Sequence, residues 1–325
     1  MNGPESAVTD VPSWQAPEYA NPEVFDERAV TVGSGEFAVS GVLSIPHGDG
    51  PHPAVVLLAG GGPFDADGTV GPNKIYKDLA WGLASRGIAV LRFDKATFAH
   101  AEKVAATTEF TPSDEYVPAA VAAIEMLSGL RAIDAGRVFM VGHSMGGKFA
   151  PRVAAAAPSV AGVVILSGDT QPMQWSIVRV LRRLAEIDPA ALAALPPLET
   201  AIEQAKMVDS QELSPATPAV RLPFGMSAAY WLDLRAYDPV AVAATLRKPM
   251  LILQGERDYQ VTVADDLAGW QAGLADRAEV TIRTYPADDH LWFPGTGPSL
   301  PEDYTRPHHV DAEVVADIAD WLLSA

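Results

Sequence analysis

The stretch Val138-Phe-Met-Val-Gly-His-Ser-Met-Gly-Gly-Lys148 decides the fold. Val138 to Val141 form a short apolar strand, and a helix of small residues, Lys148 to Ala157, follows after one tight turn. Gly142 and Gly146 leave room where neighbouring backbone crowds, so Ser144 is carried on a sharp strand-to-helix turn with its hydroxyl exposed. A G-x-S-x-G match means little by itself in a chain with 26 glycines. Set between a strand and a helix, it is the signature of an activated serine rather than of a plain turn. The helix contributes its N-terminal amides and positive dipole end beneath a developing oxyanion.

Outward from this turn, continuous apolar runs recur at residues 54–58, 88–93, 163–166, 250–253 and 280–284. Runs of this kind suit strands buried on both faces of a parallel sheet. Residues 29–32 and 38–45 alternate instead, with Gly33-Ser-Gly35 between them, which predicts an antiparallel hairpin at the start of the domain. Ile75, Leu79 and Leu83 mark a helix with Gly87 at its end, and Thr111-Pro-Ser-Asp114 caps another that runs to about Leu127. Further apolar stripes lie at Val263, Leu267, Trp270 and Leu274, and at Val310, Val314, Ile318 and Trp321. Strands and helices in this order predict a mostly parallel, doubly wound α/β sheet. Residues 170–245 break the rhythm with helical stretches and prolines at 189, 196, 197, 215 and 218. The expected organisation is an N-terminal arm at 1–27, a core formed by 28–169 and 246–325, and a helical cap inserted at 170–245 over the ligand-binding edge of the sheet.

A serine hydroxyl needs a base, and the base needs an orienting carboxylate. Past the run Met250 to Leu253 lies Asp258, and past Val280 to Thr284 lies His290, each just beyond a strand end and in the order Ser, Asp, His. Glu256 competes with Asp258 but falls nearer its strand end, while Asp288 and Asp289 read as solvated loop charges. His47, His52 and His100 precede the nucleophile in loops; His143 adjoins Ser144 with its side chain directed elsewhere; His308 and His309 read as surface histidines of the last helix. The loop Leu57-Leu-Ala-Gly-Gly-Gly-Pro-Phe64 offers backbone amides, so Gly61, with Gly62 as substitute, and Met145 are the expected oxyanion donors. No G-K-[ST] follows these glycines, which excludes a phosphate cradle. Asp65-Ala-Asp67-Gly fails as a calcium loop, because its sixth and twelfth positions are Val70 and Tyr76. No cofactor and no metal are expected. Trp292 is better placed for substrate contact than Trp175, Phe224, Met226, Tyr230 or Trp231, whose spacing suits packing of the cap helices.

Composition narrows the partners. A formal charge of −18 argues against nucleic acid, whose binding needs clustered cations. The chain has no cysteine, which removes thiolate catalysis and disulfides together. Neither a secretory start nor a run long enough for a membrane span is present, so a cytoplasmic location and a small-molecule partner are expected.

The motifs Gly61-Gly-Pro63, Asp67-Gly-Thr69, Gly71-Pro-Asn-Lys74, the run from Asp78 to Arg92, Gly142 to Gly147, Tyr230-Trp-Leu-Asp-Leu234, Leu253 to Val261 and His308 to Trp321 span nearly all of the chain from residue 29. They resemble the bacterial α/β-hydrolase esterases of the dienelactone-hydrolase and prolyl-oligopeptidase-like neighbourhood, above all the EstD-like carboxylesterases, a group also described as acyl-CoA thioester hydrolase-like. The resemblance implies the α/β-hydrolase fold and hydrolysis of short to medium acyl esters by Ser144, Asp258 and His290 without a cofactor. Two positions depart from the pattern: Ala59 stands where histidine is usual and Ala96 where arginine is usual. Both bear on substrate preference rather than on reaction class. An acyltransferase or cyclase, a thioesterase, and a silent ligand-binding scaffold fit the same residues.

Overall fold

The computed structural model describes residues 13–325, so the first twelve residues of the expected arm lie outside the described residues. Residues 13–24 run across the helix that begins at Ile75. The Trp14 indole N–H donates to Asp78 at 2.8 Å, its ring meets Trp81 edge-on, and Arg86 donates to the Tyr19 carbonyl.

Eight strands form one sheet: β1 (Phe25–Val32), β2 (Val39–Pro46), β3 (His52–Leu58), β4 (Ala89–Phe93), β5 (Ile133–His143), β6 (Val163–Leu166), β7 (Met250–Gly255) and β8 (Val280–Tyr285). Their spatial order is β1-β2-β4-β3-β5-β6-β7-β8. β1 and β2 pair antiparallel with each other, β2 pairs antiparallel with β4, and every other pairing is parallel. The hairpin and the parallel sheet expected from the sequence are thus one continuous surface. The fold is that of the α/β hydrolases.

Side chains alternate across a strand, so a run apolar at every position supplies two cores. Val56, Leu58, Met140 and Ile165 face α2 (Pro112–Ser128) and α3 (Met145–Ala156) on one side. Val55, Leu57, Val141 and Val164 face α1 (Ile75–Ala84) and the C-terminal helix at Ala312–Ser324 on the other. α2 starts where Thr111 and Asp114 cap each other reciprocally, an arrangement worth about 1 kcal/mol over an alanine cap. β8 differs from its expected burial: Val280 to Thr284 alternate between half-buried and exposed. It pairs only with β7, and an edge strand has fewer neighbours to cover it.

Between β6 and β7 the described chain forms no strand. It folds into α4 (Met173–Ile187), α5 (Leu198–Asp209), α6 (Ala228–Ala236) and α7 (Pro239–Thr245), joined by short 3-10 turns. α4 and α5 pack on each other through Val178, Leu181, Ala201 and Ala205. α6 brings Tyr230, Trp231 and Leu234 against Tyr116, Met145 and Phe149 of the sheet-bearing part. Among the described residues no helix is long and apolar enough to cross a membrane.

Candidate active site

The turn from β5 into α3 places Ser144 at φ 54° and ψ −122°, a left-handed conformation that a serine adopts only under constraint. The constraint is backbone crowding. A Cβ on Gly146 would run into the carbonyls of Leu58 and Ala59, and one on Gly142 would meet the Gly146 backbone. Met145 opens α3, so its N–H belongs to the first turn of a helix, which leaves its amides without internal acceptors.

The structure brings the three residues expected from separate strand ends together. Ser144 Oγ donates to His290 Nε2 at 3.0 Å, and His290 Nδ1 donates to Asp258 Oδ2 at 2.7 Å. Asp258 is held in turn by the amides of Gln260 and Val261 at 2.8 and 2.9 Å and by Gln254 Nε2 at 3.2 Å. Burial lowers the basicity of His290, but Asp258, Asp289 and Asp169 outweigh it and carry the imidazole above its ordinary value. Glu256, the competitor, is exposed.

Gly61 lies beside this group. A Cβ built on it would sit 3.5 Å from Met145 Sδ, and one on Gly60 would sit 3.2 Å from the Ser144 Cβ. Among the described residues the Gly61 amide donates to no protein group. Gly62, the substitute, is exposed as Gly61 is, and among the described residues its amide also has no protein acceptor; it differs in its backbone, at φ 102°. Gly61 and Met145 therefore lie next to each other beside Ser144 with amides that no described protein group accepts from, as oxyanion donors must be.

Several residues around the site carried no readable sequence signal. His143 is buried; its Nε2 donates to the His290 carbonyl at 2.8 Å and its Nδ1 accepts from Tyr76 at 3.1 Å. Burial and the adjacent His290 drive this imidazole down to about 3, so it stays neutral. Its side chain is directed at the base histidine rather than away from the site. Asp288 and Asp289 are also buried, not solvated: Asp289 accepts from the Leu291 and Phe293 amides, and burial pushes its carboxyl up to about 6. Trp292 does not contact the site as its position after His290 suggests. It turns at φ 67° into the opposite core and meets Tyr285 edge-on. Of the aromatic and methionine residues of 170–245, Trp231 and Tyr230 are buried in packing, Trp175 donates to Asp209, and Phe224 is 62% exposed. Asp67, in the stretch that fails as a calcium loop, is engaged by Lys74 and Arg92.

The family model described as "Serine aminopeptidase, S33" matches residues 66–292. Esterase EstD of Thermotoga maritima is 36% identical over 310 residues, which is 95% of this chain and 70% of that protein. Among solved structures, Est1E from Butyrivibrio proteoclasticus superposes with a TM-score of 0.58 at 15% identity, covering 91% of this chain and 99% of that one. A 2,6-dihydroxy-pseudo-oxynicotine hydrolase gives 0.55 at 18% identity over 91% of this chain and 66% of its own. At these identities the two structures speak to the fold alone.

Proposed function

The chain belongs to the serine aminopeptidase S33 family and is a serine hydrolase, and from that premise we propose that it is a carboxylesterase acting on short to medium acyl esters through an acyl-enzyme. The observation that carries the reading is the unbroken line from Ser144 through His290 to Asp258, at 3.0 and 2.7 Å, beside two free amides. In the proposed mechanism His290 Nε2 takes the Ser144 proton as Oγ attacks the ester carbonyl, and the Gly61 and Met145 amides receive the oxyanion. His290 then gives that proton to the departing alkoxide. Water, deprotonated by the same nitrogen, releases the acid and restores Ser144.

Esterase chemistry is favoured over aminopeptidase chemistry by the state of the nearby acids. An exopeptidase holds its substrate's ammonium on a free carboxylate, whereas Asp169 here is paired with Lys148 at 2.7 Å and Asp289 is spent on two backbone amides. Helices at 170–245 are the proposed cap. Met173 of α4 reaches within 4.0 Å of a Cβ built on Gly61, and Tyr230 of α6 points its hydroxyl at Met145 Sδ, which supports an acyl pocket between these helices and the nucleophile. Ser144→Ala is expected to abolish cleavage of p-nitrophenyl acyl esters, a loss of about 10⁶-fold in kcat. A panel of oxygen esters, thioesters and aminoacyl amides assigns the leaving group. Turnover retained by Ser144→Ala, or preference for the amides, overturns the reading.

A further inference from the structure

Behind the oxyanion loop lies a buried polar cluster that the reaction itself does not call on. Lys95, 5% exposed, donates to the Gly60 carbonyl at 2.7 Å and to the Tyr116 hydroxyl at 2.8 Å, and it pairs with Glu115 at 2.9 Å. Tyr116 donates to the same Gly60 carbonyl at 2.9 Å. Glu115 is completed by Thr97 at 2.8 Å and Tyr230 at 3.1 Å. The Tyr116 ring stacks on Phe149, the residue five past Ser144, with centroids 4.9 Å apart. Removing an ammonium and a carboxylate from water is costly, and an apolar pair of the same volume would pack as well. Stability alone does not account for the cluster; what it delivers is two donors, one of them cationic, on a single glycine carbonyl.

That carbonyl belongs to the Gly60–Gly61 peptide. In a planar trans peptide the C=O and the following N–H point in opposite directions. Drawing the Gly60 oxygen back toward Lys95 and Tyr116 therefore turns the Gly61 N–H the other way, toward Ser144 and Met145. The preceding Ala59–Gly60 peptide is anchored as well, its Gly60 N–H donating to the Tyr76 hydroxyl at 2.7 Å, so the chain is held on the near side of the Gly60–Gly61 link while Lys95 and Tyr116 hold the link's own carbonyl. The contrast with Met145 is instructive. Its amide is set by a helix, whereas Gly61 lies in a loop that has no repeating hydrogen bonds to orient it. A charged donor on the carbonyl also polarises the amide and strengthens its N–H as a donor.

We propose that Lys95, with Tyr116, is a positioning residue that sets the Gly60–Gly61 peptide so that the Gly61 amide is aimed and polarised as an oxyanion donor. The inference rests on the acyl-transfer reading of the site. Its test uses Lys95→Met combined with Glu115→Gln, which removes the ion pair without stranding a buried charge, and Tyr116→Phe, which keeps the ring stacked and removes one donor. Oxyanion contacts act in the transition state. The double variant is therefore expected to lose about tenfold in kcat at unchanged KM, less than the ~100-fold or more that follows outright loss of such a donor. Affinity for a trifluoromethyl ketone, which adds Ser144 Oγ to its carbonyl and leaves an oxyanion, falls by the same factor. The pH dependence of kcat/KM, set by His290, stays in place. Tyr116→Phe shifts both quantities in the same direction by a smaller factor. Unchanged kcat and unchanged ketone affinity in a double variant that melts cooperatively overturn the proposal, as does an effect confined to KM. Where the double variant does not fold, Tyr116→Phe decides by the same two readouts. If the wild-type chain cleaves no ester, the esterase reading falls, while the ratio of ketone affinities still reads the oxyanion hole.

Discussion

The strand-end loops and the helices of residues 170–245 meet at Met145, and hydrogen bonding and packing are weighted differently in the two. At the strand ends, position is fixed by polar contacts to backbone: Asp258 takes two amides, the His290 carbonyl takes His143, and the Gly60 carbonyl takes Lys95 and Tyr116. In the helical segment the interior is held by packing, and side-chain ion pairs such as Asp233 with Arg152 and Arg179 with Asp266 tie its borders. Trp231 is completely buried against its neighbours, while Val220 is 82% exposed and Phe224 sits at φ 56° on the surface. Chemistry that tolerates little displacement is placed where hydrogen bonds pin atoms, and shape is left to elements that can repack.

The difference is broken most severely by changing one atom at the strand ends. Asp258→Asn preserves volume but presents a donor where His290 Nδ1 needs an acceptor, which favours the wrong tautomer. A loss of about 10⁴-fold in kcat is expected in steady-state ester hydrolysis, with little change in Tm. The same interaction predicts the pH profile. Because Asp258 and its acidic neighbours hold His290 above the ordinary histidine value, and only the neutral ring accepts the Ser144 proton, kcat/KM rises with pH and its acid limb lies above that of a free imidazole. An acid limb unmoved in Asp258→Asn would refute that account.

A change in the helical segment probes packing instead. Trp231→Ala empties a site with no exposed surface and is expected to cost about 3–5 kcal/mol of stability, read as a lowered Tm or denaturant midpoint. Turnover per folded molecule is expected to fall only a few-fold, with a shift in preferred acyl length. A kcat loss rivalling that of Asp258→Asn would erase the distinction between the two regions.

The same division explains what was legible in the sequence. Ser144 announces itself because its turn needs glycines at fixed offsets, and Asp258 and His290 follow because a buried strand is visible as an apolar run and the site lies at its end. The two-sided core follows from those same runs, whereas the order of the strands, with β4 between β2 and β3, is not written in them. Lys95, Tyr116, Tyr76 and His143 carry no comparable signal. Each acts through contacts made across the fold, as Tyr76 does across 67 residues to His143, and no local periodicity encodes such contacts. Trp292 shows the limit of counting along the chain. Two residues past His290 the backbone passes through φ 67°, and the side chain leaves the site for the opposite core. Asp288 and Asp289 misled in the same way, since a charged pair in a loop reads as solvated until the loop folds under the terminal helix.

Asp288 is also where the strand-end rule has an exception, and it yields the smallest expected effect. Its backbone carbonyl accepts from the Arg257 amide at 2.9 Å, yet burial, then Asp311, then Asp289 and Glu313, push its carboxyl up to about 8. At neutral pH the folded chain therefore keeps this group protonated, whereas the unfolded chain releases the proton near 3.9. A raised carboxyl contributes stability that is complete below the unfolded value and is lost as pH climbs through the folded one. Asn at this position imitates the protonated form at every pH. Asp288→Asn is accordingly expected to match the wild type in Tm at pH 4 and to exceed it by a few degrees at pH 8.5, with ester turnover at pH 7 nearly unchanged. A Tm difference that stays flat across that range would mean the buried carboxyl is not protonated in the fold.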